Sequence, residues 1–190
     1  MFATLVMHPD SRCTGRIDIG AEAVRPRPGR LDLAFFISGG IRDLHIPERT
    51  WAGRADELWR RTCFEAFVRG PRAARYLEFN FSPSTQWASY AFSGYRSGMR
   101  AARELPAPRL DVHANDETFE MRVSLDLGAS DLPIGKPWRI GLAAVIEEAN
   151  GRRSYWALAH PDGDPDFHHA DAFALNLPPG ATARETFELI

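Results

Sequence analysis

Cysteine is scarce. Cys13 and Cys63 are the only two in 190 residues, too few for a disulfide framework, and both are expected to be free thiols. Long apolar runs are missing too: no stretch approaches the roughly 20 residues that cross a bilayer, so no membrane association is expected. Met1 to Met7 (MFATLVM) is apolar but short, lacks a basic leader, and runs into His8-Pro9-Asp10 without a small-residue cleavage site. It reads as a first strand, and the cytoplasm is the expected compartment. An excess of one charge is also absent. Lys and Arg number 23 against 25 Asp and Glu, a formal net charge of -2, and the arginines are scattered, so no basic field gathers phosphates and nucleic acid is not an expected partner. No internal repeat, low-complexity tract or linker is found, so residues 1–190 are read as a single domain.

Apolar residues make up 44% of the chain and charged residues 25%, enough for a sizeable core. The apolar positions alternate with period two, which predicts strands over Phe2–His8, Arg16–Arg25, Arg30–Ser38, Leu58–Val68, Arg75–Phe81, Gln86–Phe92, Arg109–Ala114, Thr118–Leu125, Trp138–Glu147, Ser154–His160 and Asp171–Leu177. So many short strands exceed what one open sheet usually holds. The expected fold is therefore all-β, a two-sheet antiparallel sandwich of jelly-roll-like form sharing a core roughly 10 Å thick. Turn chemistry agrees. Pro26-Arg27-Pro28-Gly29 separates two runs, and Asn115-Asp116-Glu117 and Glu148-Ala149-Asn150-Gly151 each predict a hairpin. The long loops, Gly39–Glu57, Ser93–Pro108 and Pro161–Ala170, are where function or edge cover is expected.

Alternation also sorts faces. Phe64, Ala66 and Val68 fall on one side of their strand, while Trp59, Arg61, Cys63, Glu65 and Phe67 fall on the other. In the next strand Leu77, Phe79 and Phe81 form a core row, opposite Tyr76, Glu78, Asn80 and Ser82. Pairing of the two would gather Arg61, Glu65, Glu78 and Asn80, with Glu78 the first candidate partner for Arg61. A solvated outer face with cross-strand ion pairs is the competing expectation. The aromatic residues nearby, Trp59, Trp87, Tyr90, Tyr95 and Trp156, favour a ligand. A pyranose offers C–H groups that stack on Trp or Tyr and hydroxyls that bond to carboxylates, amides and guanidinium groups. Tryptophans in a sandwich also serve as core, and Trp138, in step with Ile140, Leu142 and Ala144, is expected to do so.

Between Tyr155 and Asp171 (YWALAHPDGDPDFHHAD) lie His160, His168 and His169 beside four aspartates. The spacing fits neither an EF-hand nor a His-Glu-x-x-His zinc site, so no metal is assigned. The expectation is a rim: His160 and Pro161–Asp171 close one end of the ligand face, with Asp166, His168 and Asp171 anchored to Arg61 or Arg96. A catalytic alternative would use Glu65 and Glu78 as a glycosidase-like pair. Cys63, flanked by Thr62 and Phe64, is expected to be a packing residue.

Three blocks, LWRRTCFEAFV at Leu58–Val68, YLEFNFSPSTQWASYAFSGYRSGM at Tyr76–Met99 and YWALAHPDGDPDFHHADAFALNL at Tyr155–Leu177, resemble in content and order the DOMON-like bacterial domains related to family 9 carbohydrate-binding modules. Members of that branch sometimes occur beside a cell-wall precursor reductase. The resemblance implies a β-sandwich with a shallow ligand face, and relatives that bind sugars or haem. Trp59 and Glu65 match a tryptophan and an acidic residue of the modules, whereas Thr62-Cys63 replaces their usual acidic pair. For haem, Met99 with His160 or His168 would be the implied axial pair. The combined expectation is a non-enzymatic module for a saccharide or sugar-containing metabolite, without a cofactor. Its ligand surface is predicted to comprise Trp59, Arg61, Glu65, Glu78, Asn80, Trp87, Tyr95, Arg96, Trp156, His160, His168 and Asp171.

Overall fold

The computed structural model describes residues 1–180. Twelve strands occur in it: β1 (Phe2–Met7), β2 (Ile17–Val24), β3 (Arg30–Gly39), β4 (Cys63–Arg69), β5 (Tyr76–Phe81), β6 (Trp87–Phe92), β7 (Arg100–Ala101), β8 (Arg109–Ala114), β9 (Thr118–Asp126), β10 (Trp138–Glu147), β11 (Arg153–Ala157) and β12 (Leu175–Leu177). No α-helix occurs among the described residues; three short 3-10 turns lie at Ile41–Asp43, Leu58–Arg60 and Ala170–Ala172. None of the helical turns is long and apolar enough to cross a membrane.

The strands pair antiparallel in the order β7-β6-β5-β4-β10-β11-β1-β2-β3-β9-β8, with β12 alongside β10. Phe64 on β4 stacks on Phe119 of β9 at 5.1 Å and packs against Phe35 of β3 at 5.0 Å. Those strands are far apart along the hydrogen-bonded order, so the sheet must bend back on itself. The two layers predicted from sequence are thus the facing halves of one curled antiparallel sheet, a half-barrel in which β1 pairs with β2 on one side and β11 on the other. The core between the halves takes Ile19, Leu33, Phe35, Ile37, Phe119, Met121 and Val123 from one and Phe64, Ala66, Val68, Phe79, Phe81, Trp138, Ile140 and Leu142 from the other. Burying each large side chain contributes about 1.5–3 kcal/mol.

Turns form where the sequence predicts them. Asn115 Oδ1 accepts from the amides of Glu117 and Thr118 at 2.8 Å between β8 and β9. Gly151 adopts φ +82° in the β10–β11 hairpin, a conformation an L side chain resists. Trp138 is fully buried, with the Arg25 guanidinium 3.5 Å from its ring centroid. A short strand, β7, forms inside the predicted loop Ser93–Pro108, and strand limits differ most at three places. Leu58–Arg61 precedes β4 as a tight turn, β11 stops at Ala157 before His160, and only Leu175–Leu177 of the last predicted strand is extended in the sheet. Each shortened end leaves the ladder to fold over the outer face of β4, β5 and β10.

Candidate functional site

Strand register builds a polar layer on the face of β4 and β5 that points away from the main core. Glu65 lies opposite Asn80, and Phe67 opposite Glu78. The same face carries Cys63, Tyr76, Ala88, Tyr90 and Phe92, with Ala143 and Val145 of β10. An outer face should be wet, yet Glu65 is 4% exposed, Glu78 5% and Asn80 0%. Asn80 Nδ2 donates to Glu78 Oε1 at 2.6 Å, and the Cys63 thiol donates to Asn80 Oδ1 at 3.8 Å. The Glu65 carboxyl accepts no hydrogen bond from any described group, and the groups that act on it are Glu78 and, more weakly, Arg96.

Two segments cover this layer. Before β4, Leu58 and Trp59 pack against it, Trp59 meeting the edge of Tyr90 at 6.3 Å, while the Tyr90 hydroxyl donates to Asp56 at 2.6 Å. From the other side comes the segment running from Pro161 to Phe173. Arg96 donates to Asp166 at 2.7 and 3.2 Å, and the Tyr95 hydroxyl donates to the same carboxylate at 2.5 Å. His168 is fixed by three contacts. Its amide donates to Asp166, its Nδ1 meets the Tyr76 hydroxyl at 2.7 Å, and its Nε2 lies 3.7 Å from Glu78 Oε2. The Tyr76 hydroxyl also accepts from the Arg96 amide at 3.3 Å, which leaves its own proton available to His168 Nδ1.

Electrostatics follow from burial. Loss of water, with Glu78 beside it, pushes the Glu65 carboxyl well above the usual carboxylate range. Burial raises Glu78 to about 7, against the pull of Asn80 and Arg96. Burial, with Arg96 adding to it, lowers His168 to about 4, so the imidazole is neutral. The Tyr76 hydroxyl is raised to about 12, again chiefly by burial. The result is a pair of carboxyls of raised proton affinity in a layer walled by Phe67, Tyr76, Tyr90, Phe92, Phe167 and Phe173.

Of the residues predicted from sequence, Glu65, Glu78, Asn80, Trp59, Arg96 and His168 come together. Tyr95 is 59% exposed and joins the group at its rim, through Asp166 and Arg96. Others do not join. Trp87 sits opposite Phe81 and Trp156 opposite Ala144, so alternation turns both rings into the main core. Arg61 bonds to Glu147 at 2.7 Å, not to Glu78. Continued two residues past the Cys63–Val145 pair, the β4–β10 register leads to Glu147, whereas Glu78 faces Phe67, six positions along and ~20 Å away. His160 Nε2 bonds to the Val6 carbonyl at 2.9 Å and its ring packs edge-on to His8. Asp171 is exposed beside His169 and anchors neither Arg61 nor Arg96; Asp166 alone makes the expected tie to Arg96. Met99 is 52% exposed. No three His, Cys, Asp or Glu among the described residues are grouped to hold a metal ion. Asp56 and Tyr76 are not part of the surface predicted from sequence, and Tyr90 enters there only as a nearby aromatic, although both tyrosines alternate in step with Glu78 and Phe92. Asp56 lies in a loop without periodicity and gave no signal.

No protein-family model matches the chain, and no curated protein matches it significantly in sequence. Solved structures do resemble it. A protein of Bacteroides uniformis proposed to bind carbohydrate superposes with a TM-score of 0.64 at 11% identity, over 90% of this chain and 83% of that one. A family 9 carbohydrate-binding module of Caldicellulosiruptor kristjanssonii in complex with glucose gives 0.54 at 10% identity, over 94% and 86%. The same module with cellotriose gives 0.52 at 10% identity, over 95% and 84%. At such identity the likeness is one of fold: this chain folds like carbohydrate-binding modules, family 9 among them.

Proposed function

We propose that this chain is a non-enzymatic saccharide-binding module whose ligand sits over the Glu65, Glu78 and Asn80 layer. The observation that carries the reading is a polar layer removed from water on the side of the sheet that the core does not need. Burying two carboxyls works against folding unless something compensates, so their retention is best accounted for by a ligand. A sugar matches the chemistry. The carboxyls accept from paired hydroxyls, Asn80 can both donate and accept, and the half-buried Trp59 offers an apolar ring to C–H groups. The glucose and cellotriose held by the structural neighbour support this class of ligand. Kinship with DOMON-like domains, and a two-sheet jelly-roll reading of the facing halves, belong to the same proposal.

A glycan array followed by tryptophan-fluorescence titration tests it. A saturable change with one class of saccharide, weakened in Trp59→Ala and in Glu65→Gln, is the expected result; silence across neutral, acidic and amino sugars overturns it. The catalytic alternative draws on the same two carboxyls. Glycosidic cleavage abolished by Glu78→Gln would replace binding with turnover.

A further inference from the structure

Glu65 and Glu78 are diagonal neighbours on paired strands, about 7–8 Å apart at the backbone, and both point into the same covered layer. Glu78 has Asn80 on one oxygen and the Nε2 edge of His168 near the other. Glu65 has neither donor nor counter-ion of its own. Arg96 is the cation that acts on both carboxyls, and its guanidinium is already committed to Asp166 through two nitrogens. The layer therefore holds more acceptor capacity and more latent negative charge than the described residues satisfy. A neutral hydroxyl supplies one donor and no charge. An ammonium group supplies three donors and the missing charge in a volume small enough to sit between two carboxylates.

We infer that the ligand of this face is an amino sugar with its nitrogen unacylated, the ammonium lying between Glu65 and Glu78. The inference rests on the saccharide-binding reading and narrows it. Acylation would remove the charge and add bulk where Tyr90, Phe67 and His168 close in. A cation placed there stabilises the ionised form of both carboxyls, which burial disfavours and, for Glu65, the neighbouring Glu78 disfavours further.

Calorimetry on the full chain with D-glucosamine and D-galactosamine, each beside its N-acetyl form and its parent hexose, decides the matter. The expected result is that at least one amine binds about tenfold or more tightly than both of its neutral counterparts, since a charge-assisted bond outweighs a neutral one. Glu65→Gln should remove that margin in a protein that still unfolds cooperatively, and Glu78→Gln provides a second variant with the same expectation. A parent hexose or N-acetyl form that binds as tightly as its amine overturns the ammonium inference and leaves the saccharide reading standing. A margin that survives in both Gln variants overturns the assignment to these carboxyls. Cyclohexylamine, an amine on a ring without hydroxyls, binding as well as the amino sugars overturns the sugar part. No heat with any of these sugars, together with a silent glycan array, overturns the inference and the reading beneath it.

Discussion

Phe36 on β3 and Phe67 on β4 both point away from the core between the two halves of the sheet. Phe36 borders solvent, whereas Phe67 is 1% exposed. The same contrast holds along the strands. Buried and open residues alternate through β9, one side wet and one side dry, while every residue of β5 is buried. One half is thus an ordinary solvated sheet face. The other carries a second apolar cluster under the Leu58–Arg60 turn and the Pro161–Phe173 segment, and within it lie the two carboxyls. A fold that needed only stability would cover this second face with apolar side chains. On the proposed reading, its polar residues mark the half that meets the ligand.

Substitutions sharpen the contrast. Phe67→Ala should destabilise the protein by about 3–5 kcal/mol in urea titration, and Phe36→Ala, at the matching outward position, by about 1 kcal/mol or less. Equal costs would dissolve the distinction between the halves.

A smaller effect is expected from pH. Glu78 titrates at about 7 in the fold and at 4.5 when free, so its contribution is fully present below 4.5 and is lost as pH rises through 7, on the order of 3 kcal/mol in all. Glu65 acts in the same sense. His168 acts in the opposite sense: held neutral down to about 4, it adds stability above 6.5 that is lost as pH falls. Between pH 6.5 and 8 the carboxyls lower the urea midpoint while His168 and His160, both depressed in the fold, still raise it slightly, so the midpoint should move downward more in the wild type than in Glu78→Gln. Parallel profiles for the two proteins would remove the premise that Glu78 is held away from water.

Asp166→Ala should cost about 1 kcal/mol, its partners Arg96 and Tyr95 being half exposed, and should speed proteolysis within Pro161–Ala170. Unchanged cleavage would mean that Asp166 does not fasten the cover. Least of all, Arg122→Ala on the wet face of β9, which breaks the pair between an exposed guanidinium and the half-buried Glu120, should shift stability by no more than about 1 kcal/mol.

Much of this organisation is legible in the sequence. Alternation assigns Phe64, Ala66 and Val68 to the core and Glu65 to the other side, and likewise Leu77, Phe79 and Phe81 against Glu78 and Asn80, as the structure has them. Alternation cannot say which of two faces a tryptophan joins when both are apolar. In QWASYAF the row with Trp87 and the row with Tyr90 read alike, and only the pairing of Trp87 with Phe81 sends it inward. Nor can periodicity show that loops without a period fold over a face, so the ligand surface expected at Glu65 and Glu78 carries no sign of how deeply both are buried. Arg61 is misassigned because periodicity does not say that β4 has a second neighbour, β10, whose register with β4 carries Glu147 toward Arg61 while β5 sets Glu78 opposite Phe67.

β1 is hydrogen-bonded on one edge to β2, its neighbour in sequence, and on the other to β11, from near the far end of the chain. During synthesis, therefore, one edge of β1 finds its partner early while the other stays bare until most of the polypeptide has been made. Closing the loop between these distant strands costs entropy that only the finished pair repays, so a nascent chain stalled before β11 leaves the Val6–Met7 edge of β1 without its partner. Yield in cells should respond to chaperone supply and to translation speed over Trp138–Ala157, even in variants whose finished stability is unchanged.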